Sequence, residues 1–230
     1  MPAPALIFEF EGVLADTADL RRDALRTSLA DTGFALDEAG FAECCHGLPF
    51  REAVERLVET RALALDATGA ELAALRADRL FADGASRGIS LQPGAYALLG
   101  QLAGRARLAI VTRAARRTVD FVLSLAGLDH TFETIVTSDD LRDQKPSPAG
   151  YHLAVSRLAR RGSVDASQLL AFEDSAPGIA AATAAGVRCI AVGPLAAWQR
   201  LGADAALDSL SGVTPTTIAR LATTPTETAG

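Results

Sequence analysis

The stretch ALIFEFEGVLADT, residues 5–17, decides the fold, because it joins an apolar run to two carboxylates and a turn. Glu9 and Glu11 end the apolar run, and Gly12 precedes residues that are typical of a helix start. Side chains alternate across a strand, so the pattern predicts that both carboxylates point to the same side. Buried carboxylates are costly unless a partner compensates their charge, and Mg²⁺ prefers carboxylate oxygens. The stretch therefore indicates a buried strand that ends in a cation site, or else an edge strand with one solvated polar face.

The composition indicates a globular chain with enough apolar residues for a substantial core. The 230 residues are 49% hydrophobic and carry a net charge of -6, with no basic run longer than two residues. Nucleic acid is therefore not an expected partner. No apolar run reaches the roughly 18 residues of a membrane span. The residues before the first predicted strand lack the basic segment of a signal peptide, so we do not expect one. We expect no membrane partner; the oligomeric state stays open, with a monomer favoured.

Two residue counts are informative. The cysteines Cys44, Cys45 and Cys189 are an odd set with two members adjacent, which argues against a disulfide framework and against a zinc site. We therefore expect a reduced, cytoplasmic protein. Of the 22 Lys and Arg residues, only Lys145 is a lysine. A compact ammonium differs physically from a planar guanidinium, so this position either needs a point charge or kept its lysine by chance.

Apolar periodicity divides the chain into a helical block and an alternating strand–helix region. Helices are predicted from an N-cap at Asp16 to Gly33, and at 38–45, 51–65, 69–87, 93–102, 115–126, 148–158, 177–185 and 195–201. Strands are predicted at 107–112, 134–137, 169–172, 188–192 and 205–207. Strand–helix alternation favours a parallel sheet covered on both faces, so we predict an α/β fold with a Rossmann-like parallel sheet. The predicted domains are a core at 1–16 and 89–222, an inserted all-helical module at 17–88, and a flexible tail at 223–230.

Polar residues that suit chemistry follow the predicted strands. Thr112 ends one apolar strand, Glu173 and Asp174 end another, and Lys145 lies in the loop between them. Open parallel sheets bind ligands at the carboxyl ends of their strands, so these residues are expected to converge with Glu9. Thr112 and Asp174 also have a structural alternative, since each could cap the helix that follows it.

These segments, in this order, resemble the four motifs of the haloacid dehalogenase-like (HAD) hydrolases. The first motif reads Asp-x-Asp-Gly-x-Leu-x-Asp-Thr in the family, and the match runs through Gly12, Leu14, Asp16 and Thr17. The second is a hydrophobic strand ending in Thr or Ser, the third is Lys-Pro at a helix start, and the fourth is the acidic pair. The resemblance covers residues 5–192 and implies a helical cap over the site. It is similar to the β-phosphoglucomutase and phosphoglycolate phosphatase branch.

The resemblance also implies roles. A carboxylate nucleophile and an acid–base carboxylate act on a phosphate ester, with Mg²⁺ as cofactor and a small anionic phosphorylated molecule as substrate. The implied catalytic residues are Glu9, Glu11, Thr112 and Lys145. The implied substrate-binding residues are Thr112, Arg113, Lys145, Arg51 and Arg21. The implied metal ligands are Glu9, the Glu11 backbone carbonyl and Asp174, with Glu173 in or near the metal site.

The sequence departs from the family at the two residues that define its chemistry, because Glu9 and Glu11 stand where the family has Asp. Each extra methylene moves a carboxylate by on the order of 1 Å, and such a misplacement can cost about 10²-fold in rate. Two hypotheses follow: a magnesium-dependent phosphatase with adjusted geometry, or a degenerate member that binds a phosphorylated ligand or a protein without turnover. Arg21 stands where phosphoglucomutase members carry a histidine, and the helical module lacks the lysine of phosphonatases. Both features favour the phosphatase branch.

Overall fold

The computed structural model describes residues 3–45, 48–193 and 202–223. The chain divides into two compact units, which are described separately: Met1–Ala15 with Ser90–Gly230, called here the α/β unit, and Asp16–Ile89, called the helical unit. Among the described residues, no helix is both long and apolar enough to cross a membrane.

A parallel sheet forms the centre of the α/β unit. Its strands are β1 Ala5–Phe8, β2 Arg107–Val111, β3 Thr134–Val136, β4 Leu169–Glu173, β5 Arg188–Val192 and β6 Ala205–Leu207. They lie in the order β3-β2-β1-β4-β5-β6, and each neighbouring pair is parallel. The predicted α/β fold with a Rossmann-like parallel sheet is confirmed.

Strand β1 is central, which contradicts the alternative of an edge strand with a solvated face. Phe8 pairs in register with Ile110 of β2 on one side and with Phe172 of β4 on the other. All four β1 residues are buried, because helices cover both faces of the sheet. The rings of Phe8 and Phe172 stack with their centroids 4.7 Å apart, which fixes the ends of β1 and β4 side by side.

The helices of the described residues are bounded as follows. In the helical unit they are α1 Ala18–Leu29, α2 Glu38–Cys44, α3 Phe50–Arg61 and α4 Ala67–Ala85; in the α/β unit they are α5 Ala95–Leu102, α6 Arg116–Leu125, α7 Ala149–Ala159, α8 Ala176–Ala184 and α9 Pro215–Thr223. Each unit has its own apolar cluster: Tyr151 and Leu158 of α7 pack with Ile179 of α8, whereas Leu25 and Leu57 belong to the cluster of the helical unit.

Several predicted boundaries are wrong. Asp16 does not cap α1; Thr17 is the N-cap residue and makes no side-chain capping bond. Asp16 directly follows Ala15, which backbone bridges still hold to Glu11 and Leu91. Helix α3 ends at Arg61 instead of residue 65, because Ala62 turns into the left-handed region at φ 56°. The helix predicted at 195–201 and residues 224–230 of the predicted tail lie outside the described residues.

Helix α9 was not predicted, although its start carries a recognisable signal. Pro215 occupies the first helical position, which suits its fixed φ and missing N–H. The Thr214 hydroxyl accepts from the Thr217 backbone N–H at 3.2 Å, as a capping residue does. Threonine is a weaker helix former than alanine or leucine, and this threonine-rich segment therefore gave little periodic signal.

Candidate active site

Glu9 lies just beyond the carboxyl end of β1. Its N–H still donates to the Phe172 carbonyl of β4 at 2.9 Å, so its backbone is held to the sheet. The chain then turns at Gly12, whose φ of +82° favours glycine. Because β1 ends at Phe8, the alternation of side chains along a strand does not extend to Glu9 and Glu11. The prediction that both carboxylates point to the same side depended on that alternation, which the structure does not have here.

The Glu9 carboxylate is buried and accepts hydrogen bonds on both oxygens. Oε1 accepts from the backbone N–H groups of Phe10 and Glu11 at 2.7 and 3.2 Å, and from the Thr112 hydroxyl at 2.5 Å. Oε2 accepts from the Lys145 ammonium. Two successive backbone N–H groups that point at one anion form a nest, a recurrent anion-binding arrangement. The nest, the hydroxyl and the ammonium together form a cradle of four donors, named here the anion cradle.

Thr112 follows β2 directly and serves the site. Its hydroxyl donates to Glu9 and accepts from the Ala114 N–H at 3.1 Å. The alternative in which Thr112 caps the next helix is wrong, because α6 begins at Arg116 with Ala115 as its N-cap residue. Thr112 thereby joins the ends of β1 and β2.

Lys145 is buried and uses all three hydrogens of its ammonium. They go to Glu9, to Glu173 Oε1 at 2.5 Å and to the Val111 carbonyl at 2.8 Å. Burial works to lower the pKa of Lys145, but the charges of Glu173 and Glu9 outweigh it, so the pKa is raised. The ammonium is therefore charged, and it bridges two carboxylates that would otherwise repel each other.

Glu173, the last residue of β4, is fully buried. Its Oε1 accepts from Lys145 and from the Tyr151 phenol, both at 2.5 Å. Its Oε2 has no hydrogen-bond partner among the described residues and lies where a Cβ on Gly178 would collide with it. The pKa of Glu173 is raised to about 7, mainly by burial. The positive charge of Lys145 lowers this pKa, whereas the negative charge of Glu9 raises it further.

Tyr151 is the residue that the sequence analysis missed. It is fully buried in α7, and its ring lies 5.6 Å from the Lys145 ammonium. Burial and the neighbouring Glu173 raise its pKa well above the ordinary value, so the phenol keeps its proton and donates it. A tyrosine on the apolar face of a predicted helix needs a hydrogen-bond partner for its hydroxyl. This requirement is the feature of the sequence that points to Tyr151.

Asp174 reaches the turn after β1. A Cβ at Gly12 would collide with the Asp174 carboxylate, so only glycine admits this approach. The alternative in which Asp174 caps α8 is wrong: Ser175 is the N-cap residue, and its hydroxyl accepts from the Gly178 N–H at 3.3 Å.

The carboxylate oxygens of this site are of the type that binds magnesium. No group of three His, Cys, Asp or Glu side chains is arranged to hold a metal within the described ranges. Protein Mg²⁺ sites, however, commonly use only one or two carboxylates and complete the shell with water and substrate phosphate. Glu9 and Asp174 both approach the turn at Gly12, and the unpartnered Oε2 of Glu173 adds buried negative charge. The hard-oxygen donors present here fit Mg²⁺.

The structure therefore brings Glu9, Thr112, Lys145 and Glu173 into direct contact, with Asp174 against the neighbouring turn. Residues 9 and 145 are 136 positions apart in the chain, and only the order of strands in the sheet joins them.

The three arginines of the predicted substrate site are placed differently. Arg113 follows Thr112 in the α/β unit and is partly buried. Arg21 belongs to the helical unit, where its Nη2 donates to the Leu48 carbonyl at 2.5 Å and its guanidinium carbon lies 4.4 Å from the Phe50 ring centroid. Arg51 is exposed on α3 and pairs with Glu55 at 3.0 Å. Gly47 and Arg51 together resemble a loop of the sugar-phosphate members of the family, and Gly47 lies outside the described residues.

Comparison with known proteins shows the family of the chain. The family model of the haloacid dehalogenase-like hydrolases matches residues 6–192. The chain belongs to this family. The match spans all four motifs, including the strand ends that carry Glu9, Thr112 and Glu173. The expected family membership is confirmed.

Curated relatives lie in the phosphatase branch of the family. The plasmid-encoded phosphoglycolate phosphatase of Cupriavidus necator is 35% identical over 224 residues, which cover 93% of this chain and 92% of that protein. The phosphoglycolate phosphatase of Rhodospirillum rubrum is 33% identical over 188 residues, covering 80% and 76%. The crystal structure of CbbY from Rhodobacter sphaeroides in complex with phosphate matches with a TM-score of 0.76 at 25% identity, covering 95% of this chain and 100% of that one. These relatives support a phosphoric monoester hydrolase.

Proposed function

We propose that this protein is a magnesium-dependent phosphatase that hydrolyses a small phosphorylated metabolite of the sugar-phosphate type through a carboxylate nucleophile. The observation that carries the proposal is the contact of Lys145 with both Glu9 and Glu173, at the carboxyl ends of β1 and β4. A buried ammonium between two carboxylates lowers their repulsion for an incoming phosphoryl group. The family and its phosphatase members support the same conclusion.

The proposed reaction has two steps. In the first, a Glu9 oxygen forms a bond to phosphorus while the bond from phosphorus to the leaving oxygen breaks, and the Glu11 carboxyl gives that oxygen a proton. In the second, the Glu11 carboxylate takes a proton from water, the water oxygen bonds to phosphorus, and the acyl phosphate bond to Glu9 breaks. Inorganic phosphate and the intact Glu9 carboxylate result. Thr112 and Lys145 hold the phosphoryl oxygens during both steps.

The ligands proposed for Mg²⁺ are Glu9, the Glu11 backbone carbonyl and Asp174, with Glu173 close by. When bound, the ion supplies positive charge that offsets repulsion between the nucleophile and the phosphoryl group. Glu173 keeps Lys145 in place through its Oε1, and Tyr151 orients that carboxylate by donating to the same oxygen.

Substrate selection is proposed to lie with the helical unit. Arg51 is exposed, so its guanidinium is available to an anion at the cost of an exposed ion pair. Arg21 contacts Leu48 and Phe50. We therefore propose that it contributes to substrate binding by stabilising the shape of the helical unit. Phosphoglycolate is the first candidate substrate to test, since two curated relatives are named for it.

A specific observation favours the second hypothesis, a member that binds phosphate without turnover. All four donors of the anion cradle are already taken by the Glu9 carboxylate. A nucleophile held by four hydrogen bonds is less reactive until some of them are released. The longer glutamate side chain also adds a rotatable bond, which weakens preorganisation.

One assay separates the two hypotheses. Hydrolysis of p-nitrophenyl phosphate, phosphoglycolate and a panel of sugar phosphates would be measured with and without Mg²⁺ for the natural chain, for Glu9→Asp/Glu11→Asp and for Lys145→Ala. Metal-dependent turnover by the natural chain that Lys145→Ala abolishes would support the phosphatase. No turnover by the natural chain, together with a gain of more than about 10²-fold in the double variant, would favour the degenerate member.

A further inference from the structure

We propose that the Glu9 carboxylate occupies the position of a phosphoryl group in the anion cradle, and that it is an internal competitor for the anionic ligand. The inference rests on the proposed function only for the identity of the ligand, an oxyanion of the phosphate class. It concerns a residue to which the resemblance assigns two roles, the nucleophile and a metal ligand. Four hydrogen-bond donors surround this one side chain.

Three donors converge on one oxygen of Glu9. The amides of Phe10 and Glu11 belong to the same turn and point at Oε1, and the Thr112 hydroxyl approaches it from β2. A side-chain oxygen that accepts from the next two backbone N–H groups fills the nest with the residue's own charge. Such a nest binds external anions when no internal one is present.

Lys145 completes the match to an anion. It donates to Oε2. Oε1 therefore accepts from the nest and the Thr112 hydroxyl, and Oε2 accepts from the ammonium. These donor types are the ones that hold transferring phosphoryl groups in general, where backbone amides and cations stabilise the equatorial oxygens. A carboxylate and a phosphoryl group each present anionic oxygens on one centre, so either can satisfy the same four donors.

The extra methylene explains why the carboxylate reaches this position. It moves the carboxyl group by on the order of 1 Å relative to aspartate and adds one rotatable bond, which lets the side chain fold back over its own amides. An aspartate at position 9 is one bond shorter and is expected to contact fewer of the four donors. The substitution at position 9 therefore alters anion binding as well as reactivity.

The consequence for affinity follows from population arithmetic. If an anion binds only when Glu9 has left the cradle, the apparent dissociation constant equals the intrinsic one divided by the fraction of molecules with Glu9 released. With four hydrogen bonds to release, that fraction is small, and removal of the competitor is expected to tighten phosphate binding by at least about tenfold.

The test is direct binding of inorganic phosphate to the full chain, measured by titration calorimetry without substrate turnover. Glu9→Ala empties the cradle and is expected to bind phosphate at least about tenfold more tightly than the natural chain. Glu9→Gln keeps the shape and one acceptor oxygen, so its affinity should lie between the two. It also serves if Glu9→Ala fails to fold, which thermal unfolding by circular dichroism would report.

Two controls separate competition from a simple loss of negative charge. Glu173→Gln removes a carboxylate from the same ammonium without touching the nest or Thr112, so it should raise phosphate affinity less than either Glu9 variant. Acetate should weaken phosphate binding to Glu9→Ala, where it can enter the vacated cradle, and leave the natural chain unaffected. Equal gains from Glu173→Gln and Glu9→Gln, or no acetate competition in Glu9→Ala, would overturn the inference.

The outcome is distinguishable from that of the proposed function. Tighter binding in Glu9→Ala with no turnover by the natural chain supports internal competition and refutes the phosphatase. Turnover by the natural chain with no gain in affinity refutes internal competition and supports the phosphatase.

Discussion

Lys145 is the residue whose loss is expected to do most harm, because its ammonium is the only cation in direct hydrogen-bond contact with Glu9 and Glu173 among the described residues. Lys145→Ala would leave two buried carboxylates uncompensated, which typically costs about 3–5 kcal/mol of stability. Urea denaturation measures this loss, and phosphate binding should disappear with it. Arg51→Ala is the matched control, because Arg51 forms an exposed, screened ion pair and its loss should be small for both readouts.

Lys145→Arg tests why this position alone kept a lysine. A guanidinium is planar and larger than an ammonium, so it is not expected to reach Glu9, Glu173 and the Val111 carbonyl together. Phosphate affinity should fall well below that of the natural chain in calorimetry. Full affinity in Lys145→Arg would mean that a point charge is not required and that the single lysine is a matter of chance.

Glu173 predicts a pH dependence of stability in the metal-free protein. Its pKa is raised from 4.5 to about 7 in the folded state, so the folded protein binds more protons than the unfolded chain between these values. The free energy of unfolding should therefore fall as the pH rises from about 4.5 to about 7. Lys145, with its raised pKa, stays charged throughout this range and adds no slope.

The measurement is urea denaturation at a series of pH values in EDTA, for the natural chain and for Glu173→Gln. The variant cannot titrate at this position, so the difference between the two curves isolates Glu173. A constant difference from pH 4.5 to pH 7 would show that the carboxyl has an ordinary pKa.

At the scale of elements, the first turn of α8 is built around the end of β4. The Glu173 carboxylate lies in the space that a side chain at Gly178 would fill. Gly178→Ala should displace Glu173 and destabilise the protein by about 1–3 kcal/mol, as overpacking does. Thermal or urea denaturation measures the change.

A second glycine offers a control of opposite sign. Gly100 lies in α5 with no atom near the site of a Cβ, so Gly100→Ala should stabilise the protein by roughly 0.5–1 kcal/mol through helix propensity alone. Destabilisation by Gly100→Ala, or stabilisation by Gly178→Ala, would contradict this account of the two positions.

At the scale of the whole molecule, the helical unit is an insertion in the sequence of the α/β unit. The two chain segments of the α/β unit that flank this insertion are hydrogen-bonded to each other. Ala15 forms an antiparallel bridge with Leu91, and the Gln92 N–H donates to the Leu14 carbonyl at 2.8 Å. The chain therefore leaves and re-enters the α/β unit at adjacent points. Each unit also has an apolar cluster of its own.

Replacement of residues 16–89 by a short Gly/Ser linker should leave a folded α/β unit, since short linkers close adjacent ends at little entropic cost. All four donors of the anion cradle lie in this unit, so phosphate binding should persist. Circular dichroism with thermal unfolding and phosphate calorimetry, beside the full chain, provide the measurement. A shortened chain that is unfolded by circular dichroism would show that the sheet depends on the helical unit.

The sequence by itself determined the sheet and most of the site. Strand–helix alternation implies a parallel sheet, and carboxyl ends of parallel strands meet at one edge, which places Glu9, Thr112, Lys145 and Glu173 near one another. The apolar periods also located the helical block, because a helix buries one face at a period of 3.6 residues. These properties depend on pattern and topology, which a linear sequence contains.

Only the tertiary structure decided which atoms pair. The four donors on Glu9, the phenol of Tyr151 on Glu173, and Ser175 instead of Asp174 at the start of α8 all depend on side-chain rotamers. A rotamer is selected by every neighbour that packs against it, and such a neighbour can be far away in the chain, as Lys145 is from Glu9 at 136 positions. Sequence pattern fixes which residues share an edge of the sheet, whereas packing fixes which hydrogen bond each one makes.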